Sequence, residues 1–256
     1  MNPRATQSAS TRLVGEAVGL SIGAVLAAIG ALRRGKPVHP KGVVHQARLR
    51  VRGGAAAPPA ARLLAEPAEH YAIVRFSRSL GVPRPLPDLF GMSIRIPDAY
   101  GRGRHQDLLL VTSADMPILR RMFVPATGVD KRPYTSALPY VAGHDRFIVG
   151  AVPRPSPPTA ELFFELAVAH VGSGSRGFEP IADLVVGPRL PDALDALRFS
   201  PWNAGGGMAP AGILNGARHR AYALSQAAWR AARPDGADAQ EAAERELAGV
   251  ARSQAG

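Results

Sequence analysis

A chain of 256 residues is long enough to bury one full core with helical additions, so no second domain is required. The absence of cysteine excludes disulfides, thiol nucleophiles, zinc knuckles and iron-sulfur clusters, and 46% hydrophobic with 20% charged residues is too apolar for a disordered chain. A net charge of +11 invites nucleic acid or an anionic membrane. The arginines, however, are scattered as Arg48, Arg50 and Arg52, Arg102 and Arg104, Arg120 and Arg121, and Arg218 and Arg220. No basic motif interleaved with aromatics joins them, so no nucleic-acid partner is expected, and buried anions would use some of them equally well. The 27 Gly and 24 Pro imply many turns between short elements and favour a mixed fold over a helix bundle.

Residues 13–32 form a weakly polar run whose length just reaches that of a membrane span. Glu16 and four glycines argue against a stable span, and Arg33 and Arg34 stand where a cleavage site would be. A helix packed on the body of a cytoplasmic protein is the expected state, with membrane contact as the alternative. His39 then lies in the turn Val-His-Pro-Lys-Gly, and His45 is six residues on, which is no metal-binding spacing. Over 47–52 the apolar Ala47, Leu49 and Val51 alternate with Arg48, Arg50 and Arg52, the period of a strand with one wet face. Residues 71–76 read as a buried strand that delivers Arg75 and Ser77 at its end; an arginine there requires an anion. A Pro-rich loop, a strand around 92–96, an Arg- and Gly-rich loop and a strand at 107–112 follow.

The second half is plainer. Residues 153–158 read as a loop, 161–170 as a strand or a short buried helix, and 182–186 as a strand. The glycines 205–207 lack a phosphate-loop lysine and read as a flexible approach to the helix that follows. On that helix Arg218 and Tyr222 stand four residues apart, which places them on one face, where the guanidinium favours the ionised phenol, a hard oxygen ligand. Residues beyond Arg233 read as a capped, exposed helix or a partly disordered tail.

His39 in VHPKG, Arg75 in VRFS, the DLFGMSIRI run from Asp88 and the DLLLVT run from Asp107 together resemble the haem-pocket half of the catalase family, and Arg218 with Tyr222 resembles that family's Arg-x-x-x-Tyr proximal motif. The resemblance covers roughly 36–230 and implies an α+β fold, an antiparallel β-barrel with helices packed outside and haem between the barrel and a C-terminal helix. It divides the chain into a helical segment 1–34, a haem domain 35–233 and a tail 234–256. It implies ferric haem b held by Tyr222, with Arg218 keeping the phenolate ionised, Arg75 and Lys36 toward the cofactor's carboxylates, and Val38 and Arg230 also among the residues that bind it. His39 would be the distal base, Ser77 the hydroxyl that fixes its imidazole, and Thr112 a further polar group of the catalytic set.

Four departures qualify that expectation. Val111 stands where catalases carry a distal Asn, with Thr112 beside it; Lys36 replaces an Arg; the Arg after the proximal Tyr is displaced one position to Arg230; and Phe90 replaces an Arg. Val38, before the distal His, is more like peroxide-splitting members than like relatives that rearrange fatty-acid hydroperoxides, which tend to carry Thr there. The expected activity is a peroxidase that reduces hydrogen peroxide or organic hydroperoxides with a small organic donor and has weak catalase activity. The alternative is a scaffold that kept the barrel and lost haem, associated with a membrane through 13–32.

Overall fold

The computed structural model describes residues 42–79, 81, 83, 85–114, 122–136, 139–172, 177–211 and 236–255. The run 13–32 lies outside them. Ten strands follow one another: β1 (Gly42–Val51), β2 (Ala68–Arg78), β3 (Phe90–Ile96), β4 (Gln106–Thr112), β5 (Tyr134–Thr135), β6 (Tyr140–Ala142), β7 (Asp145–Arg154), β8 (Leu162–His170), β9 (Glu179–Arg189) and β10 (Met208–Pro210). β1, β2, β3, β4, β5, β7, β8 and β9 pair in that order and β9 returns to β1, so eight antiparallel strands close a barrel, with β6 and β10 extending from β7. The antiparallel barrel expected from the sequence is the observed fold. Closure removes the unpaired sheet edges that an open sheet of these strands would expose.

Period-two alternation fills the inside. Leu49, Ala72, Val74, Phe76, Met92, Ile94, Leu108, Leu110, Tyr134, Phe164 and Leu184 make one continuous core, and the ring of Phe164 lies 6.0 Å, centroid to centroid, from those of Phe76 and Tyr134. The barrel is therefore a packed body without a lumen. A second, smaller core lies on the outer face: Val44 of β1 and Ile73 of β2 meet Leu194 and Leu197 from a 3₁₀ turn (Asp192–Ala196), Phe199, and Ala243 and Leu247 of the C-terminal helix Gly236–Ala255. Ala243 and Leu247, four residues apart, form the buried stripe of a helix whose other faces are solvated. Besides this helix, α2, the described residues include one short helix, α1 (Arg62–Ala65). Among them no helix is long and apolar enough to cross a membrane.

One buried ion pair ties the outer layer to the sheet. Arg95 of β3 and Asp107 of β4 face each other and are 1% and 0% exposed. Arg95 Nε and Nη2 donate to the two carboxylate oxygens at 2.8 Å each. Asp107 Oδ2 also accepts from Ser200 N and Asn203 Nδ2, both at 2.8 Å, while Arg95 donates to the Arg198 carbonyl and lies 4.9 Å from the Phe199 ring centroid. Two desolvated charges are tolerable because the fork-to-fork geometry and these added bonds satisfy all but Arg95 Nη1, which has no hydrogen-bond partner and lies 3.7 Å from Glu244 Oε1.

The glycines at 205–207 are tightly packed, which corrects the expectation of a flexible approach. A Cβ at Gly206 would lie 2.6 Å from Tyr100 Cε1, and one at Gly207 would lie 1.9 Å from the Ala60 carbonyl oxygen. Gly207 also has φ +86, a conformation L side chains rarely adopt. Strand 161–170 resolves as β8, and β7 runs to Arg154, into what reads as loop in the sequence.

Two outcomes follow from these contacts. R95M strands Asp107 without its cation and lowers unfolding stability by about 3–5 kcal/mol, whereas R95M/D107L loses much less than the sum of the two single changes; denaturant unfolding of the three variants checks this, and an R95M loss within the range of an ordinary surface change would contradict it. His70 lies on the same strand face as Ala72 and Val74; burial holds its pKa below the usual 6.5, and Nε2 has no hydrogen-bond partner. Because the folded state disfavours the proton, its contribution is complete above about pH 6.5 and is lost as pH falls below that value. H70F flattens that part of the stability profile, which a series of melting curves from pH 7.5 to 5 measures.

Candidate functional site

β2 turns Ala72, Val74 and Phe76 into the barrel, and so puts Ile73, Arg75 and Ser77 on its outer face. Continuous pairing across four strands extends this face sideways. Gly42 stands opposite Ser77, Ser77 opposite Gly91, and Gly91 opposite Val111, while the next row is Val44, Arg75, Ser93 and Leu109. Four strands at about 4.8 Å spacing give the double row a width of about 14 Å. Its residues are small or apolar apart from the one guanidinium and the two serine hydroxyls. Ser77 is buried and Val111 is half-buried.

Residues from four separated stretches of sequence are thus brought together: Gly42 from VHPKG, Arg75 and Ser77 from VRFS, and Gly91 and Val111 from the two strands that follow. Thr112 does not join them. The register of β3 with β4 runs without a bulge, so the pleat sends Thr112 to the face opposite Val111, where its buried Oγ1 accepts a hydrogen bond from Phe90 N at 3.2 Å. The expectation of a catalytic hydroxyl at Thr112 is corrected accordingly: that hydroxyl serves the barrel interior. Phe90 likewise points inward, with the Arg78 guanidinium 5.6 Å from its ring centroid.

The anion that Arg75 requires is supplied by the chain. Arg75 Nε donates to Asp195 Oδ1 at 2.7 Å, and the Gly42 N–H donates to the same carboxylate at 3.1 and 3.2 Å. Asp195 sits on the 3₁₀ turn, 120 residues beyond Arg75. Its sequence context, an Asp-Ala-Leu-Asp-Ala-Leu run, carries a surface pattern, and only the fold shows its partner. Asp107 is a second participant whose role the sequence does not display. Asp88, of the Asp-Leu-Phe-Gly run, is fully buried and accepts from Arg78 Nε at 3.2 Å and from Gly81 N at 2.7 Å, which makes it a loop anchor. His45 is engaged at the barrel rim, its Nδ1 3.1 Å from the Gly187 carbonyl and 3.1 Å from Glu161 Oε2.

Lys36, Val38, His39, Arg218, Tyr222 and Arg230 lie outside the described residues. Among the described ones no group of three or more His, Asp and Glu is placed to hold a metal ion. Burial pushes the phenols of Tyr71 and Tyr100 up to about 12 and that of Tyr134 higher still, so these three stay protonated and are poor oxygen ligands at neutral pH. Of this face, Val44, Ser77 and Gly91 are buried and Gly42, Arg75, Ser93, Leu109 and Val111 half-buried, with Val44 and Leu109 packed against the outer layer.

The structure is similar to that of a bacterial catalase, with a TM-score of 0.51 and 11% sequence identity over 81% of this chain and 58% of that one. It is also similar to a fungal catalase, with a TM-score of 0.52 and 9% identity over 73% of this chain and 58% of the other. This chain therefore spans less than two thirds of the length of either. No protein-family model and no curated protein matches the sequence. At such identities the likeness is one of fold, and the chain is a catalase-like barrel.

Proposed function

We propose that this protein is a haem-dependent peroxidase of the catalase-like group, reducing hydrogen peroxide or an organic hydroperoxide at the expense of a small organic donor. The observation that carries this reading is the outer face itself: Gly42, Ser77, Gly91 and Val111 form one row beside Arg75 on a catalase-like barrel. Tyr222 would hold the iron, Arg218 would keep its phenol ionised, and Lys36 and Arg230 would meet the carboxylates. Ferric haem, when bound, supplies the redox centre at which the peroxide oxygen-oxygen bond is broken. The chain's part is proton handling and exclusion of water. His39 takes a proton from one peroxide oxygen and returns it to the departing one, and the Ser77 hydroxyl fixes the tautomer and tilt of that imidazole.

A second reading is a catalase-like scaffold without haem, associated with a membrane through 13–32. It is favoured by Asp195, which neutralises the arginine that the family resemblance assigns to a cofactor carboxylate.

Titrating the purified protein with ferric haem separates the two. The peroxidase reading expects a Soret band that saturates at one haem per chain. Y222F then loses the haem while keeping the fold, and H39A keeps the haem but loses about 10²–10⁴-fold in its reaction with peroxide. A folded protein that takes up no haem supports the scaffold, and a Y222F spectrum identical to wild type would remove Tyr222 from the ligand role.

The apolar Val111 also predicts weak disproportionation. Catalase turnover requires a second peroxide to be held by polar groups on both sides, and on the Val111 side the neighbouring hydroxyl, Thr112, is turned into the barrel. Loss of one aligned donor at an active site costs on the order of 10²–10³ in rate. Donor oxidation therefore outpaces oxygen evolution in wild type, and V111N raises oxygen evolution; oxygen release faster than oxidation of every donor tried would overturn this.

A further inference from the structure

We propose that Asp195 is a positioning residue that locks Gly42, the first residue of β1, against Arg75, and so fixes the point from which the chain leads back to the candidate base His39. The role given to His39 rests on the function proposed above; the lock itself rests on geometry. Gly42 follows His39 by three positions in the sequence and stands opposite Ser77. Its N–H donates to both oxygens of Asp195, and the Arg75 Nε–H donates to one of them at 2.7 Å. A side chain at position 42 is impossible in this arrangement, because its Cβ would lie 2.6 Å from Arg75 Cζ and 2.8 Å from the Phe76 carbonyl oxygen. The guanidinium lies against Gly42, and the carboxylate holds the two together.

The carboxylate is itself held on a fixed support. Leu190 N donates to the Val44 carbonyl at 2.8 Å, and Leu194 and Leu197, on either side of Asp195, are buried with Val44 and Ile73. A short charge-assisted bond from a guanidinium, with a backbone amide on the same acceptor, is among the stronger contacts a protein makes. Arg75 is 11% exposed and Asp195 28%, so water screens the pair only in part. Asp195 thus supplies the anion that Arg75 requires, and the pair acts on Gly42 at the start of β1.

The test uses the full chain as wild type, D195N, R75L and D195N/R75L. In the haem-free proteins each single change lowers the melting midpoint by about 3–8 °C, and the double variant melts no lower than the worse single. Affinities for haem and for its dimethyl ester, read by absorbance titration, stay within about threefold of each other across the set. With haem bound, D195N reacts with hydrogen peroxide about tenfold more slowly per haem, an effect that loss of stability alone would not produce. Additive midpoints overturn the lock. So does an R75L variant that loses affinity for haem but not for the ester, since Arg75 would then serve the cofactor carboxylate directly, and so does an unchanged per-haem rate in D195N. If wild type takes up no haem, the proposed function fails on its own account, and the midpoints alone judge the lock: coupled midpoints retain it and additive ones reject it.

Discussion

The outer layer of this molecule depends on one buried ion pair. Arg95 and Asp107 are fully withdrawn from water on the outside of a β-barrel, where each alone would cost several kcal/mol. They are retained because each is multiply bonded, and those extra bonds reach the backbone of the segment 198–203. The pair therefore works as an address: it specifies where the chain leaving β9 must return to the sheet. A hydrophobic pair of equal volume would fill the space without specifying a hydrogen-bonded register for that return. The 3₁₀ turn and the helix Gly236–Ala255 then cover Val44 and Ile73, and Asp195 is delivered to Arg75.

The strands β1 and β2 were legible because their chemistry and their period agree. The 47–52 alternation extends into β1, and the apolar run 71–76 becomes the centre of β2, with Arg75 and Ser77 near its end as expected. β7 was hidden. Gly150 and Pro153 weaken the strand pattern of Asp145–Arg154, yet Gly150 is required there because a Cβ would lie 2.5 Å from the Phe178 ring. The reason sits on another segment, so no local pattern carries it. The glycines at 205–207 teach the same lesson: a run that reads as slack is dictated by the Tyr100 ring and the Ala60 carbonyl.

The candidate site divides along a similar line. Ser77 and Val111 could be placed together once pairing was known, since both follow from strand period and register. Thr112 could not be placed by nearness in sequence, because adjacent strand residues face opposite ways. Asp195 acts through contacts to residues 120 and 153 positions away, and an acidic residue in a surface-like run gives no sign of such partners. What sequence reasoning supplied at Arg75 was the demand for an anion; what only the fold supplied was the anion's identity.

The filled interior has a consequence for how such a protein can change over generations. Each strand carries two interleaved sets of residues, one packed among Phe76, Tyr134 and Phe164 and the other facing the outer layer. Substitutions in the second set leave the first untouched, so the wall can be rewritten, from polar to apolar or from large to small, while the barrel stays folded. Inheritance of shape and inheritance of chemistry are thereby uncoupled at the level of single alternate positions. A barrel so built is recognisable by its shape at 9–11% identity to catalases of known structure.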